Sequence, residues 1–332
     1  MFPFQVETLY ETLYIVVPSE QSRLECINQL NAYKPPRHIS ASLDHLPIMW
    51  TMHTSYLQAD GSHRAVLNGK KLFRTEEEAL PCTEVVESLL QSAISLNMLL
   101  QDSASVRKSL HCVADKVANF LNSASLLRFV DLTTLETQES RVCFYLNVYQ
   151  ILLWHARIAY GAPLNAKQSL SFNRRMCYQL GSQQLVLSLA EIEHLILRAK
   201  LPPSALAPPM DKQTKALYID IQNKYGLEHP DFRLSIVLYS IEPLVTCFDG
   251  DFVHEQLNAA CAHMLQTSIQ VNQATKIIYL PKLCEWNRLD FGNANTNGIH
   301  CARKLAGFLQ GELLNDMQTL IEADTPFLVK YV

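Results

Sequence analysis

The chain has 332 residues, 48% of them apolar and 18% charged, with a formal net charge of −4. That length suits one large domain or two smaller ones with a sizeable core, and the low charge density points to a large helical interior. A slightly acidic balance gives no general basic field, so the composition argues against a nucleic-acid-binding protein.

Thr12 to Val17 reads as a strand, and Pro18-Ser19 opens a helix with Leu24, Ile27 and Leu30 on one face. A strand followed by such a helix, here residues 10–33, resembles the end of a pleckstrin-homology domain, without the tryptophan usual in that helix and without the preceding strands. The resemblance implies that the chain is the C-terminal piece of something longer and that this region makes a peripheral membrane contact. Lys34-Pro35-Pro36-Arg37 is a break. A β-meander follows, over Ile48 to Leu57, Arg64 to Leu67 and Lys70 to Phe73, with turns at Asp60-Gly61 and Asn68-Gly69. Asn-Gly is a strong hairpin signal because both central residues must tolerate positive φ. Thr75 with Glu78 forms a capping box, and helices are expected near Thr83 to Leu100 and Ser105 to Leu121. On this reading residues 1–74 are a small N-terminal α/β region, 75–125 a helical connector and 126–332 the main domain.

The run Arg141 to Tyr160, RVCFYLNVYQILLWHARIAY, is apolar on nearly every face and predicts a central buried helix over Val142 to Ala159. A buried Asn147 must find partners for its amide, because an unpaired one costs about 1–3 kcal/mol. Asn147, Gln150 and His155 either tie this helix to neighbouring loops or line a site. Downstream, Leu187 to Arg198 reads LSLAEIEHLILR. Ser188 and Glu191 make a second capping box, Ile192, Leu195, Ile196 and Ala199 form the core stripe, and Glu191, His194 and Arg198 share the opposite face. That face is an active-site wall, in which carboxylate and guanidinium tune an imidazole, or a solvated surface. Leu201 to Pro209, LPPSALAPP, is a connector or a polyproline docking loop. Leu234 to Leu238 and Ile277 to Leu280 read as strands of a short antiparallel sheet.

Four of these segments carry a resemblance. Val130-Asp131-Leu132-Thr133 with Phe144-x-x-Asn147-x-Tyr149 and His155 comes first. Leu187 to Arg198 follows, containing Glu193-His194. The third is Tyr225-Gly226-Leu227 with Pro230 and Leu234 to Leu238, leading to Phe248-x-x-Asp251-x-Val253-x-Glu255-x-Leu257. The last is Pro281-x-Leu283-x-x-Trp286-x-x-x-Asp290-Phe291. In this order they resemble the domain-of-unknown-function-547 family, most closely its plant members with a leucine zipper. The resemblance does not reach the first part of the chain. It implies a helix-rich α+β fold with a papain- or transglutaminase-like core, and fold alone does not carry function. In relatives the third segment ends in a loop of the type C-x-G-S-x-S-(C/S)-P. Here it reads Tyr239-Ser240-Ile241-Glu242-Pro243, without the glycine and with only Ser240 and Pro243 kept.

Nucleophilic catalysis needs a nucleophile, a base and oxyanion donors close together. The shortened loop removes the thiol position, and Cys143, on an apolar helix, reads as core. The nine cysteines, spread from Cys26 to Cys301, show no C-x-x-C and no tight Cys/His spacing, and His111, His254 and His263 make no metal signature. No cofactor and no metal is therefore expected, and the cysteines read as reduced residues of a cytoplasmic protein. The N-terminus, MFPFQVETLYE, has neither a basic region nor a long apolar run, and Val142 to Trp154 is too short and too polar for a transmembrane segment. The expected function is a non-catalytic scaffold or regulatory module with a protein partner. The alternative is a cysteine/serine hydrolase- or acyltransferase-like enzyme, with Asn147, His155, Glu193, His194 and Ser240 as candidate catalytic residues.

Overall fold

The computed structural model describes residues 2–7, 12–32, 54–59, 62–70, 78–101, 110–181, 185–198, 201, 212–240, 247–292, 298–323 and 326–332. They group into two compact units, Met1–Thr134 with Ile151–Leu187, and Leu135–Gln150 with Ser188–Val332.

In the first unit, β1 (Phe2–Glu7) and β2 (Thr12–Val17) pair antiparallel, with Phe2 opposite Val17 and Glu7 opposite Thr12. The helix expected after Pro18 is α1 (Glu20–Ala32), started by Ser19, whose Oγ accepts from the Ser22 N–H at 3.1 Å. Leu24, assigned to its apolar face, is exposed. β3 (Ser55–Ala59) and β4 (Ser62–Val66) form an antiparallel hairpin. Its Asp60-Gly61 turn lies outside the described residues, as do Ile48 to His53, Lys71 to Phe73 and Thr75 of the remaining expectations. Lys70, the start of the anticipated third strand, is not part of a strand. Beyond β4 the sheet continues with strands from much later in the chain. α2 (Cys82–Gln101) and α3 (Leu110–Leu126) bury Val86, Leu89, Leu90, Ala93 and Leu96 on one side, and Val113, Val117, Phe120, Leu121 and Ala124 on the other. That three-to-four-residue spacing is the apolar stripe of an amphipathic helix, and each fully buried Leu or Phe contributes about 1.5–3 kcal/mol.

The apolar run predicted as a central helix is α4 (Gln138–Tyr160), with every residue from Val142 to Ala156 buried. Its N-terminal half groups with the second unit and its C-terminal half with the first. α5 (Ala166–Arg175) is capped by Asn165, whose side chain accepts from the Gln168 N–H. It leads into β5 (Met176–Leu180), which pairs parallel with β4 through Ala65 opposite Met176 and Val66 opposite Cys177. β6 (Leu185–Ser188) completes the order β3-β4-β5-β6.

The second unit is mostly helical. α6 (Leu189–Glu191) continues as a π-helix over Ile192–Leu197, and then come α7 (Lys212–Tyr225), α8 (Phe232–Ser240) and α9 (Val253–Ser268). A three-stranded sheet is built from β7 (Gln270–Asn272), β8 (Ile277–Leu280) and, after the short helices α10 (Leu283–Trp286), α11 (Arg288–Phe291), α12 (Ile299–Ala306) and α13 (Gly311–Glu322), β9 (Leu328–Tyr331). β8 is central, antiparallel to β7 and parallel to β9. The helix-rich α+β class is as the sequence indicated, with two corrections: the sheet that holds Ile277 to Leu280 is mixed rather than antiparallel, because the chain returns through α10 to α13 and lays β9 parallel to β8, and its other expected strand is a helix. Leu234 to Leu238 is not a strand but the middle of α8, and all five residues are buried. A short run that is apolar at every position fits a fully buried helix as well as a fully buried strand. What decides it is the start: the Asp231 carboxylate accepts from the Arg233 N–H at 3.0 Å and the Asp231 carbonyl from the Leu234 N–H at 3.1 Å. Among the described residues no helix is long and apolar enough to cross a membrane.

Candidate functional site

A helix buried on all sides has nowhere to place an amide except against other polar groups. Asn147, at 3% exposure, donates from Nδ2 to the Phe248 carbonyl at 2.8 Å and accepts at Oδ1 from the Phe248 N–H at 3.0 Å. Its side chain therefore reads the backbone of residue 248 as a neighbouring strand would. Gln150, one turn on, donates to the same Oδ1 at 3.0 Å. Asn147 thus pins the segment that enters α9.

The LSLAEIEHLILR segment starts as its capping box predicts. The Ser188 Oγ accepts from the Glu191 N–H at 3.2 Å, and the Glu191 carboxylate accepts from the Ser188 N–H at 2.8 Å. The other Glu191 oxygen accepts from the Tyr218 hydroxyl at 2.8 Å. The helix then widens, with the Arg198 N–H donating to the Glu193 carbonyl five residues back at 3.0 Å. π-turns are rare and concentrate at functional sites, and this one carries Glu193 and His194. Their side chains are 22% and 18% exposed, with Nδ1 of His194 lying 3.8 Å from Oε1 of Glu193. That separation exceeds a hydrogen bond, so the attraction is Coulombic and acts when the imidazole is protonated.

The expected solvated face is not one. Glu191 and Arg198 are both buried. The Arg198 guanidinium meets Asp290 through Nε at 3.0 Å and Nη2 at 2.5 Å, with both side chains 2% exposed. The Ser235 hydroxyl on α8 donates to the same Asp290 oxygen that Nε engages. One carboxylate thereby joins the π-helix, α8 and α11. Gly226 of the Tyr-Gly-Leu motif allows the close approach of α7, since a Cβ there would lie 2.5 Å from the Gln222 carbonyl oxygen and 3.1 Å from that of Leu195.

His155 belongs to the first unit. It is fully buried, with Nδ1 2.9 Å from the Tyr178 hydroxyl and its ring edge-to-face with Phe120 at 5.1 Å. Burial pushes its pKa down to about 3, so the imidazole is neutral at any physiological pH, and the same burial holds Tyr178 well above its ordinary range. Ser240 ends α8, and its hydroxyl donates back to the carbonyls of Ile236 at 3.0 Å and Val237 at 3.3 Å. The rest of the shortened loop, residues 241–246, lies outside the described residues. Cys143 is a core residue, as read from the sequence, and burial raises its thiol to about 12; Cys261 is raised to about 12 and Cys82 to about 11 for the same reason. Thiols held that high supply almost no thiolate near neutral pH.

Of the five candidates, Asn147, Glu193, His194 and Ser240 fall in the second unit, and Asn147 and Ser240 make bonds that fix backbone. Sequence reasoning missed the Arg198–Asp290–Ser235 grouping, although Arg198 and Asp290 were both motif residues. No local signal singled the pair out, because each segment carries several charges: Glu191, Glu193 and Arg198 in one, and Lys282, Glu285, Arg288 and Asp290 in the other.

Residues 132–265 match a family model described as protein of unknown function, DUF547. The match takes in the helix with Asn147, the Glu193-His194 segment and the entry to α9, and it ends before the Pro281 to Phe291 motif. Neither the curated proteins nor the solved structures contain a match to the chain.

Proposed function

We propose, from the premise that residues 132–265 are a DUF547 segment, that the protein is a non-catalytic scaffold or regulatory module, a degenerate hydrolase-like fold that binds a protein partner in the cytoplasm. In this reading residues 126–332 are the interaction module, 75–125 its helical connector and 1–74 an N-terminal region that makes any peripheral membrane contact. The observation that carries the reading is the use to which the motif side chains are put. Asn147 clamps the Phe248 backbone, Glu191 closes a helix cap, and Arg198, Asp290 and Ser235 form one buried tie. His155 is neutral and sealed from solvent, and the Ser240 hydroxyl is turned onto its own helix. These are the bonds of a rigid binding module rather than of a nucleophile with its base.

A second reading, a hydrolase- or acyltransferase-like enzyme, is favoured by one observation. The partly exposed Glu193–His194 pair sits on a π-turn, where a carboxylate can orient and tune an imidazole. The two readings separate in a hydrolysis screen of the full chain against ester, thioester and amide substrates. The scaffold reading expects rates equal to buffer for the wild type and for His194→Ala. Turnover above buffer that disappears in a folded His194→Ala variant contradicts it.

A further inference from the structure

Three helix starts of the second unit meet at one imidazole. His254 lies in the first turn of α9, Arg233 in the first turn of α8 and Glu139 in the first turn of α4. All five N–H donors of the Arg233 guanidinium are engaged. Nε donates to both Asp231 carboxylate oxygens at 3.0 Å, and Nη2 donates to Oδ2 at 2.5 Å. Nη1 donates to the His254 carbonyl at 3.3 Å and to Oδ1 of Asn258 at 2.8 Å. The second Nη2 hydrogen meets the His254 ring at Nδ1, 2.9 Å away. On the other side of the ring, Nε2 lies 3.4 Å from Oε1 of Glu139.

A guanidinium has donors and no acceptor, and it stays charged in proteins. The Nδ1 that it touches is therefore an acceptor, and the ring hydrogen sits on Nε2, facing the Glu139 carboxylate. A proton taken up from solvent has to go on Nδ1. There it points at the Nη2 hydrogen and sets two cations side by side, while the charge gained is drawn to Glu139. We propose that His254 is a proton-operated switch: neutral, its ring accepts from Arg233 and joins α9 to α8; protonated, it leaves Arg233 and pairs with Glu139 on α4. The side chain that moves is the imidazole. Arg233 is held by Asp231, the two side chains being 15% and 18% exposed, whereas the His254 side chain is 57% exposed. The neutral ring has one cation and two carboxylates around it, and protonation makes the count two and two. The other groups at hand do not compete for the ring. The His229 N–H donates to Gln138 beside Glu139, and Cys261, two turns along α9, donates to the Arg233 carbonyl at 3.6 Å. On its own element Asp251 and Glu255 flank His254, and the start of α9 disfavours a cation there. The switch does not depend on whether the module is catalytic.

The test is nuclear magnetic resonance of the isotope-labelled full chain, titrated from about pH 8 to about pH 5, the range in which an imidazole changes charge. The His254 ring signals are identified by their loss in His254→Gln. At the upper pH the switch predicts the tautomer with hydrogen on Nε2 and a bare Nδ1. As the ring takes up its second proton, the guanidinium signals of Arg233 should shift with the same midpoint, and that shift should be missing in His254→Gln. In Glu139→Gln, which removes the carboxylate waiting for the cation, the midpoint should move to lower pH. A hydrogen on Nδ1 at the upper pH, Arg233 signals that do not follow the ring, or a midpoint unmoved in Glu139→Gln would each overturn the proposal. The wild-type tautomer decides this even if a variant fails to fold.

Discussion

Replacing Asp290 is the most informative single change to the buried tie. Asp290→Leu leaves the Arg198 guanidinium, whose side chain is 2% exposed, without its counter-charge and without the acceptors that Nε and Nη2 use at 3.0 and 2.5 Å. Breaking a buried pair from one side costs about 3–5 kcal/mol, because a charge then sits uncompensated in a low-dielectric interior. The Ser235 hydroxyl loses its acceptor in the same step, which places the expected loss in the upper part of that range. Arg198→Met strands the carboxylate instead and should cost a similar amount. The double variant buries no charge at all, so its loss should be smaller than either single, about 1–3 kcal/mol from imperfect packing. The assay is urea unfolding of all four proteins followed by circular dichroism, with the coupling energy taken from the cycle. If the two single losses simply add in the double variant, or each is below about 1 kcal/mol, the tie does not work as described.

Asn147→Leu should destabilise by about 1–3 kcal/mol, because the Phe248 N–H and carbonyl both lose their partner in a buried place, and an unchanged thermal midpoint would count against that role. His155 predicts a pH dependence. Its folded pKa is depressed to about 3 from the ordinary 6.5, so below about pH 6.5 the unfolded chain binds a proton that the folded chain does not. Stability from this residue is complete above about pH 6.5 and is lost as pH falls towards 3, at up to about 1.4 kcal/mol per pH unit. His155→Gln should flatten the stability-against-pH curve between about pH 6 and 4; equal slopes in the two proteins would show that burial does not hold the imidazole neutral.

The elements that could be read from the sequence were those whose signal is local or one-sided. α4 was legible because an apolar run of that length has few alternatives, and the cap at Ser188 because its two hydrogen bonds lie within four residues. α8 was not, since burial on every side erases the period that separates a helix from a strand. The burial of Asn147 followed from its helix, and its bond to residue 248 agrees with the expected tie to a loop backbone. The role of Arg198 was hidden by the π-turn. Counting a regular helical period put Arg198 on a face with Glu191 and His194, whereas it is buried against Asp290, ninety-two positions along the chain. Partners so far apart become visible only once the chain is folded. His155 was legible as a polar residue in a core helix, but nothing local revealed that it falls in a different unit from Asn147, since the division passes between Gln150 and Ile151 within one continuous helix.

The claim that the polar residues of these motifs hold the fold rather than perform chemistry is tested most directly by covalent labelling. The full chain is treated with broad serine- and thiol-reactive active-site probes, beside His194→Ala and Ser240→Ala. Buried thiols raised to about 11 or 12 and a hydroxyl bonded to its own helix should give no stoichiometric label at Ser240 or at any buried cysteine, and only slow modification of the exposed Cys247, equal in all three proteins. Rapid stoichiometric labelling of the wild type that is lost in either variant would show a working nucleophile and base, and would contradict the account.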